Sequence, residues 1–296
     1  MKKGIVIVSF GTTYPGTRHK NIERITEQVR SIYPDAVIEE AVSSRTVRRI
    51  MKEREEIHAL DTGEALEALM KQGVTDAVVF ATHMIDGIEY HRVAQEAEKY
   101  AKDFEVLKIA KALLTEDKDY CAVAKAFWES VKNEVQSMPL ILMGHGTEHA
   151  ADASYQKMEK ALREYANHAV YIATVAGRVT IDDVIGRMKA DKCVESGGEV
   201  MVMPFMLVAG EHANHDMAGE EESFSSKLKE AGYQPKCMIR GIGEYAAVRD
   251  IYMEHLRRMT KDLFLGSRRE DKTGTLYGIG VGPGNPKLIT LEAVET

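Results

Sequence analysis

The sequence predicts an α/β protein of two similar lobes, each a parallel sheet flanked by helices, facing one another across a cleft. Three observations carry this prediction. Apolar runs of strand length alternate with segments of helical periodicity through residues 1–265, the pattern of βαβ units with helices on both sheet faces. The first strand segment, "GIVIVSF", is apolar at nearly every position, as burial on both faces requires. The alternation also starts afresh near residue 139, where "LILMGHGTE" sets against the early "IVIVSFGTT", pairing Phe10 with His145 and Gly11 with Gly146. Farther on, "VVFATHMIDGIEY" sets against "VMPFMLVAGEHA", pairing Gly87 with Gly210 and Glu89 with His212. Both matches fall in the same order, so the lobes are expected at residues 1–137 and 138–265.

Each element has its own signal. "GIVIVSF" is a buried-type strand bounded by Gly11. Ile22, Ile25, Val29 and Ile32 then recur at helical spacing until Pro34 stops the run. "AVIEEAV" reads as a strand, and "TGEALEALMKQG" as a helix with a Thr cap and a Gly stop. "DAVVFAT" is the next strand, and "EVLKIA" is a strand between helices expected near 90–102 and 116–134. In the second run the strands are "LILMG", "AVYIATV", "EVMVMPFMLV" and "CMIRG". Helices are expected near 151–166, 180–190, 218–231 and 245–263. In parallel sheets so wound, ligands bind beyond the carboxyl ends of the strands.

Composition narrows the class. A length of 296 residues suits one large or two medium domains, and 44% hydrophobic with 29% charged residues is ordinary for a globular chain. A net charge of −7 argues against nucleic acid as the main partner. Cys121, Cys193 and Cys237 lie far apart with no CxxC pair, which fits a reducing compartment and opposes a Cys-ligated zinc site. The apolar run after the basic "MKK" is too short for a signal peptide, and none approaches a membrane span. A cytoplasmic protein is expected.

The chemistry-bearing residues gather at strand ends. In "PLILMGHGTEHA", His145 sits between Gly144 and Gly146 where a buried strand should stop. His212, in "LVAGEHANHD", follows an apolar run and a glycine in the same way, and Glu89 lies in "MIDGIEYH". A carboxylate at Glu89 also suits the first turn of a helix, where the dipole favours it. His83 reads as a hydrogen-bonded core group, and His149 and His215 as exposed. Two imidazoles and one carboxylate at strand ends suit a borderline divalent metal with open coordination positions. Ser9 could serve a hydrolase with His145 as base, but the chain lacks a GxSxG elbow and a third triad member.

At these segments the chain resembles a known family. "GIVIVSFGTTYPGTRHKNI", "AVSSRTVRRIM", "THMIDGIEYHRV", "LMGHGTEHAADASY" and "MPFMLVAGEHANHDMAGEEESFSSKL" are together similar to the anaerobic cobalt chelatases of the cobalamin pathway. These are the sirohydrochlorin cobaltochelatases, class II chelatases, and the resemblance covers about residues 1–265. It implies two α/β lobes around a tetrapyrrole cleft and insertion of a divalent metal, by default Co2+, without ATP or an organic cofactor. It places the metal-binding and catalytic roles on His145, His212 and Glu89. Iron or nickel insertion, or a non-catalytic tetrapyrrole or metal carrier, are the rival functions.

The chemistry explains the residue types. Metallating a free tetrapyrrole removes two pyrrole protons while ring nitrogens displace the carrier ligands. An imidazole holds a metal ion without thiolate-like tightness and exchanges protons near neutral pH, and a carboxylate stabilises the arriving cation. The ring bears many carboxylates, so this acidic chain needs a local cationic wall. "SSRTVRRIMKER" is the densest basic stretch, and Arg45, nearest its strand end, is the expected contact. Ser9, Phe10, Gly11 and Thr12 are expected to bind substrate at a helix N-terminus, and Gly144 and Gly146 to let the flat ring approach the backbone.

The tail differs in kind. Residues 266–275, "GSRREDKTGT", read as a polar linker. Residues 276–296, "LYGIGVGPGNPKLITLEAVET", resemble the first strand and glycine loop of the S-adenosylmethionine-dependent C20-methyltransferases of the same pathway. The expectation is a chelatase cut from a fusion soon after its second domain begins. A homo-oligomer is left open.

Overall fold

Two parallel sheets with the same winding organise the chain, in a computed structural model that describes residues 2–264. The first sheet holds β1 (Lys3–Ser9), β2 (Val37–Val42), β3 (Asp76–Ala81) and β4 (Val106–Ile109), in the order β2-β1-β3-β4. The second holds β5 (Leu140–Gly144), β6 (Val170–Thr174), β7 (Glu199–Pro204) and β8 (Gln234–Cys237), in the order β6-β5-β7-β8. Each order is the same path through four strands, so the two lobes expected from the matched segments are present. The central strands β1, β3 and β5 are buried almost throughout because helices cover both faces.

The helices follow from local chemistry. α1 (Pro15–Arg18) runs through a π turn, His19–Glu23, into α2 (Arg24–Ile32), which buries Ile25 and Val29. Ser44 caps α3 (Arg45–Glu55) by accepting the Val47 amide. α4 (Thr62–Lys71) is capped by Asp61 rather than by Thr62, because Asp61 and Glu64 close a reciprocal capping box and Thr62 is already helical. α5 (Ile88–Glu98) starts at Gly87, and α6 (Asp117–Val135) leads out of the first sheet. In the second lobe come α7 (Ala153–Ala166) and α8 (Ile181–Asp191).

Three expected elements change, the first being the strand read over 199–208, which ends at Pro204. The helix expected from 218 is α9 (Phe224–Glu230), because left-handed Glu222 (φ 51°) breaks the chain and Ser223 caps the new helix. The strand expected at 237–241 is β8, three residues earlier, paired with β7 in the register Val202↔Cys237. β8 is a mostly exposed edge strand containing Pro235, so apolar content does not locate it.

The last helix, α10 (Ala246–Phe264), falls within the residues expected for the second lobe, yet it packs on the first. Tyr252 donates to the Thr82 carbonyl at 3.0 Å, buried His255 meets Asp119 of α6 at 3.2 Å, and Gln28 of α2 donates to Asp250 at 2.7 Å. One apolar core consequently runs from Ile5 and Val78 through α6 and α10 to Leu140 and Met203. The linker expected at 266–275 and the segment at 276–296 lie outside the described residues.

Candidate active site

The turn after β5 owes its shape to crowding by the protein itself. A Cβ on Gly144 would stand 2.3 Å from the Tyr155 ring. Gly146 has φ +79°, and a Cβ there would meet the Gly177 amide nitrogen at 2.4 Å. Both glycines are buried, so they are required by packing, and the expectation that they make room for a flat ligand gives way to that reason. The Gly146 amide donates to the Tyr155 hydroxyl at 3.3 Å, and burial pushes that phenol up to about 12, so it stays protonated. Asp152, fully buried, accepts the Thr147 and Arg178 amides at 3.1 and 3.0 Å and ties the turn to the loop after β6. Gly11, the matched residue of the first lobe, has φ +91° and is crowded by Val42 in the same fashion.

The residue between the glycines points out. His145 is exposed, and its ring lies 4.9 Å from that of His212, centroid to centroid, at 80°. His145 Nδ1 is 2.8 Å from the Gly146 carbonyl oxygen, and His212 Nδ1 is 2.5 Å from Asp216 Oδ2. A carbonyl or carboxylate oxygen accepts, so Nδ1 is the donor in both rings, and in the neutral tautomer this leaves the Nε2 lone pair for a ligand. That is the arrangement metal-binding imidazoles use, the second nitrogen donating to a carbonyl or carboxylate.

Other histidines differ on this point. His149, whose ring is 5.5 Å from that of His91, accepts the Ala151 amide on Nδ1 and therefore carries its proton on Nε2. His215 pairs with Glu211 at 3.1 Å in an exposed contact. His83 has Nε2 3.3 Å from the Ser43 hydroxyl and an enclosed Nδ1 without a partner, and burial pushes it down to about 4.

Glu89 occupies the place in the first lobe that His212 holds in the second. The His91 amide donates to the Gly87 carbonyl at 3.0 Å, as the Asn214 amide does to that of Gly210 at 3.2 Å, so both residues lie in matching first turns. The Glu89 carboxylate is paired with Arg92 and does not join the two imidazoles. Among the described residues no group of three or more His, Cys, Asp or Glu side chains is gathered to hold a metal. The Glu89–Arg92 pair is exposed, and such pairs contribute at most about 1 kcal/mol, so the carboxylate is free to move.

The lobes meet through these same turns. Gly210 abuts Thr12, and Gly87 abuts Ala151, a reciprocal pair of contacts. Tyr14 donates to Glu211 at 2.6 Å and Thr17 to the Ala209 carbonyl at 3.1 Å. Around them three large apolar side chains stay exposed: Phe10 and Val175 just past the ends of β1 and β6, and Ile88 at the first position of α5. Arg45 is exposed at the first position of α3, beside the Ser44 amide that reaches the Phe10 carbonyl at 3.4 Å. Arg48 is instead consumed by the Val42 and Ser43 carbonyls, and Arg49 by Glu53. Ser9 and Thr12 are buried, which removes Ser9 as an accessible nucleophile. They line, with Gly11, a cavity of about 280 Å³ behind the turn, while a larger one of about 1000 Å³ lies at the opposite, amino ends of β1 and β2. Neither cavity includes the histidine pair.

The cobalt chelatase (CbiK) family profile matches residues 3–261. The chain belongs to the CbiK cobalt chelatase family. Sirohydrochlorin cobaltochelatase of Salmonella typhimurium is 30% identical over 259 residues, 87% of this chain and 96% of that protein. Sirohydrochlorin cobaltochelatase CbiKC of Nitratidesulfovibrio vulgaris is 30% identical over 266 residues, 86% of this chain and 89% of that one. Among solved structures, SirB from Bacillus subtilis with Fe3+ superposes with a TM-score of 0.65 at 16% identity, covering 90% of this chain and 98% of that one. The structure of CbiX, the terminal enzyme of siroheme biosynthesis in denitrifying bacteria, gives 0.53 at 14% identity over 86% and 98%. These likenesses establish the two-lobed fold. In this CbiK-family site, Tyr155, Asp152 and Asp216 escaped the sequence analysis. Only Asp216 carried a usable signal, four residues after His212 at helical spacing.

Proposed function

We propose that this CbiK-family chain inserts Co2+ into sirohydrochlorin without ATP. The observation that carries the proposal is the pair His145 and His212, 4.9 Å apart with both Nδ1 atoms engaged by acceptors and both Nε2 atoms free. Phe10, Ile88 and Val175 supply an apolar rim for the ring face, and Arg45 a cation for its carboxylates. The incoming ion rests on imidazole lone pairs that bind it loosely enough to surrender it. As the ring nitrogens take the ion, two pyrrole protons leave. Glu89, released from Arg92, takes one and passes it to solvent, and the imidazole that gives up the metal takes the other. The ring nitrogens replace the imidazoles and both protons end on groups that exchange with solvent, so the step as proposed uses no nucleotide.

The test is absorbance-monitored insertion into sirohydrochlorin with Co2+, Fe2+ and Ni2+ in parallel, at catalytic amounts of protein. Multiple turnovers with Co2+, lost in H212A, support the proposal. A single stoichiometric binding event would identify a carrier instead, and faster turnover with Fe2+ or Ni2+ would reassign the metal.

A further inference from the structure

His212 stands at the entrance to a π turn, Ala213–Met217, and it meets the one carboxylate that turn brings back to it. Asp216 Oδ2 lies 2.5 Å from His212 Nδ1, and among the described residues that carboxylate has no other partner. The neighbouring i,i+4 pair shows the contrast. Glu211 meets His215 at 3.1 Å but also accepts the Tyr14 hydroxyl across the lobes, and both members of that pair are more exposed. Asp216 thus serves a single imidazole.

The duplicated fold provides an internal control. Counting from the matched residues Glu89 and His212, the place of Asp216 is held in the first lobe by Val93, which is buried in the core under α5. In the first lobe the helix that follows the third strand is therefore built without an acid at this point. The acid occurs only in the lobe whose turn carries an imidazole. His145 is oriented differently, by the carbonyl of its own neighbour Gly146 at 2.8 Å, a partner that backbone geometry supplies. His212 has no such carbonyl and depends on a side chain.

Resting on the metal-insertion reading above, we propose that Asp216 is a positioning residue. It holds the His212 proton on Nδ1 and so leaves Nε2 for the ion, with the His145 ring 4.9 Å away. Without it the ring can turn about its side-chain bonds, and its proton can shift to Nε2, which removes the lone pair. A carboxylate that holds a metal-bound imidazole in this manner changes metal affinity or activity by roughly 10–100-fold when lost. Because it acts on the ion through His212, KM for the ring is expected to be unchanged.

The test compares the full chain with D216N, D216E and H212A. Co2+ binding without tetrapyrrole is followed by calorimetry and visible absorption, and insertion kinetics are separated into kcat and KM. In parallel, ring-nitrogen NMR of the apo protein reads which nitrogen of His212 carries the proton. The expected result is a Co2+ affinity and kcat lower by about 10–100-fold in D216N, an unchanged KM, and substantial recovery in D216E. In the wild type the His212 proton is expected on Nδ1. A wild-type proton found on Nε2, or wild-type Co2+ affinity in D216N, would overturn the assignment of Asp216. Should D216N fail to fold, the wild-type tautomer alone decides. The parent reading fails separately, if H212A itself binds Co2+ and inserts it as the wild type does.

Discussion

A histidine's chemistry depends on which nitrogen keeps the proton, and His145 and His149, four positions apart, differ in that respect. His145→Ala should therefore lower Co2+ insertion by ~100-fold or more, with little change in unfolding temperature because the side chain is exposed. His149→Ala should keep turnover near normal. Equal losses in the absorbance assay would place the centre elsewhere. Arg45 is legible on similar terms: it is exposed, and no hydrogen bond or ion pair engages it among the described residues. Arg45→Ala should raise KM for the polycarboxylate ring at low salt, and the gap should close as salt screens the interaction. A wild-type KM at low salt would move the carboxylate contact to another residue.

At the scale of elements, the turn after β5 is held by its surroundings. Gly146→Ala places a Cβ against the Gly177 backbone at a left-handed φ, so about 2 kcal/mol or more of stability should be lost along with insertion. Gly186, exposed within α8, has nothing within 4 Å of a new Cβ. Gly186→Ala should stabilise by roughly 0.5–1 kcal/mol, the helix penalty of glycine. Scanning calorimetry should show shifts of opposite sign. A fall in both would mean that α8 needs its glycine for a reason other than packing. The edges of the second sheet show similar local control. α7 covers β6 by bringing Arg163 Nε to the Val170 carbonyl at 2.6 Å, while Glu159 accepts the Ile172 amide at 2.7 Å, pairing groups an edge strand would leave open.

For the whole molecule, α10 and α6 join the two lobes into one core, so unfolding should be shared between them. His83 bears on that stability. Its enclosed ring keeps the folded value near 4, below the 6.5 of a free imidazole, so the unfolded chain binds this proton first as pH falls. The His83 contribution is complete above about pH 6.5 and is lost as pH drops from there towards 4. Denaturant titrations across that window should show stability declining with acid, and His83→Gln should flatten the slope. An unchanged slope in the variant would assign the acid sensitivity to other groups.

How far the sequence reached can be judged from particular residues. Fold class, the doubled lobe and the strand-end histidines were legible, because buried strands must be apolar and repeated backbones leave repeated glycines, as Gly11 and Gly146 do. The edge strand β8 was displaced by three residues, since an exposed edge need not be apolar. The swing of α10 onto the first lobe was equally invisible, because periodicity says which helix face is buried and not against what. By itself the sequence determined two parallel-sheet lobes and the residues that follow their strands; the order of the strands came with the structure. Only the tertiary structure decided that Tyr155 and Gly177 fill the space beside the glycines, that His145 and His212 meet, and that each is held by its Nδ1. Those facts depend on contacts between segments dozens of residues apart, or on side-chain rotation, and neither leaves a period in the chain.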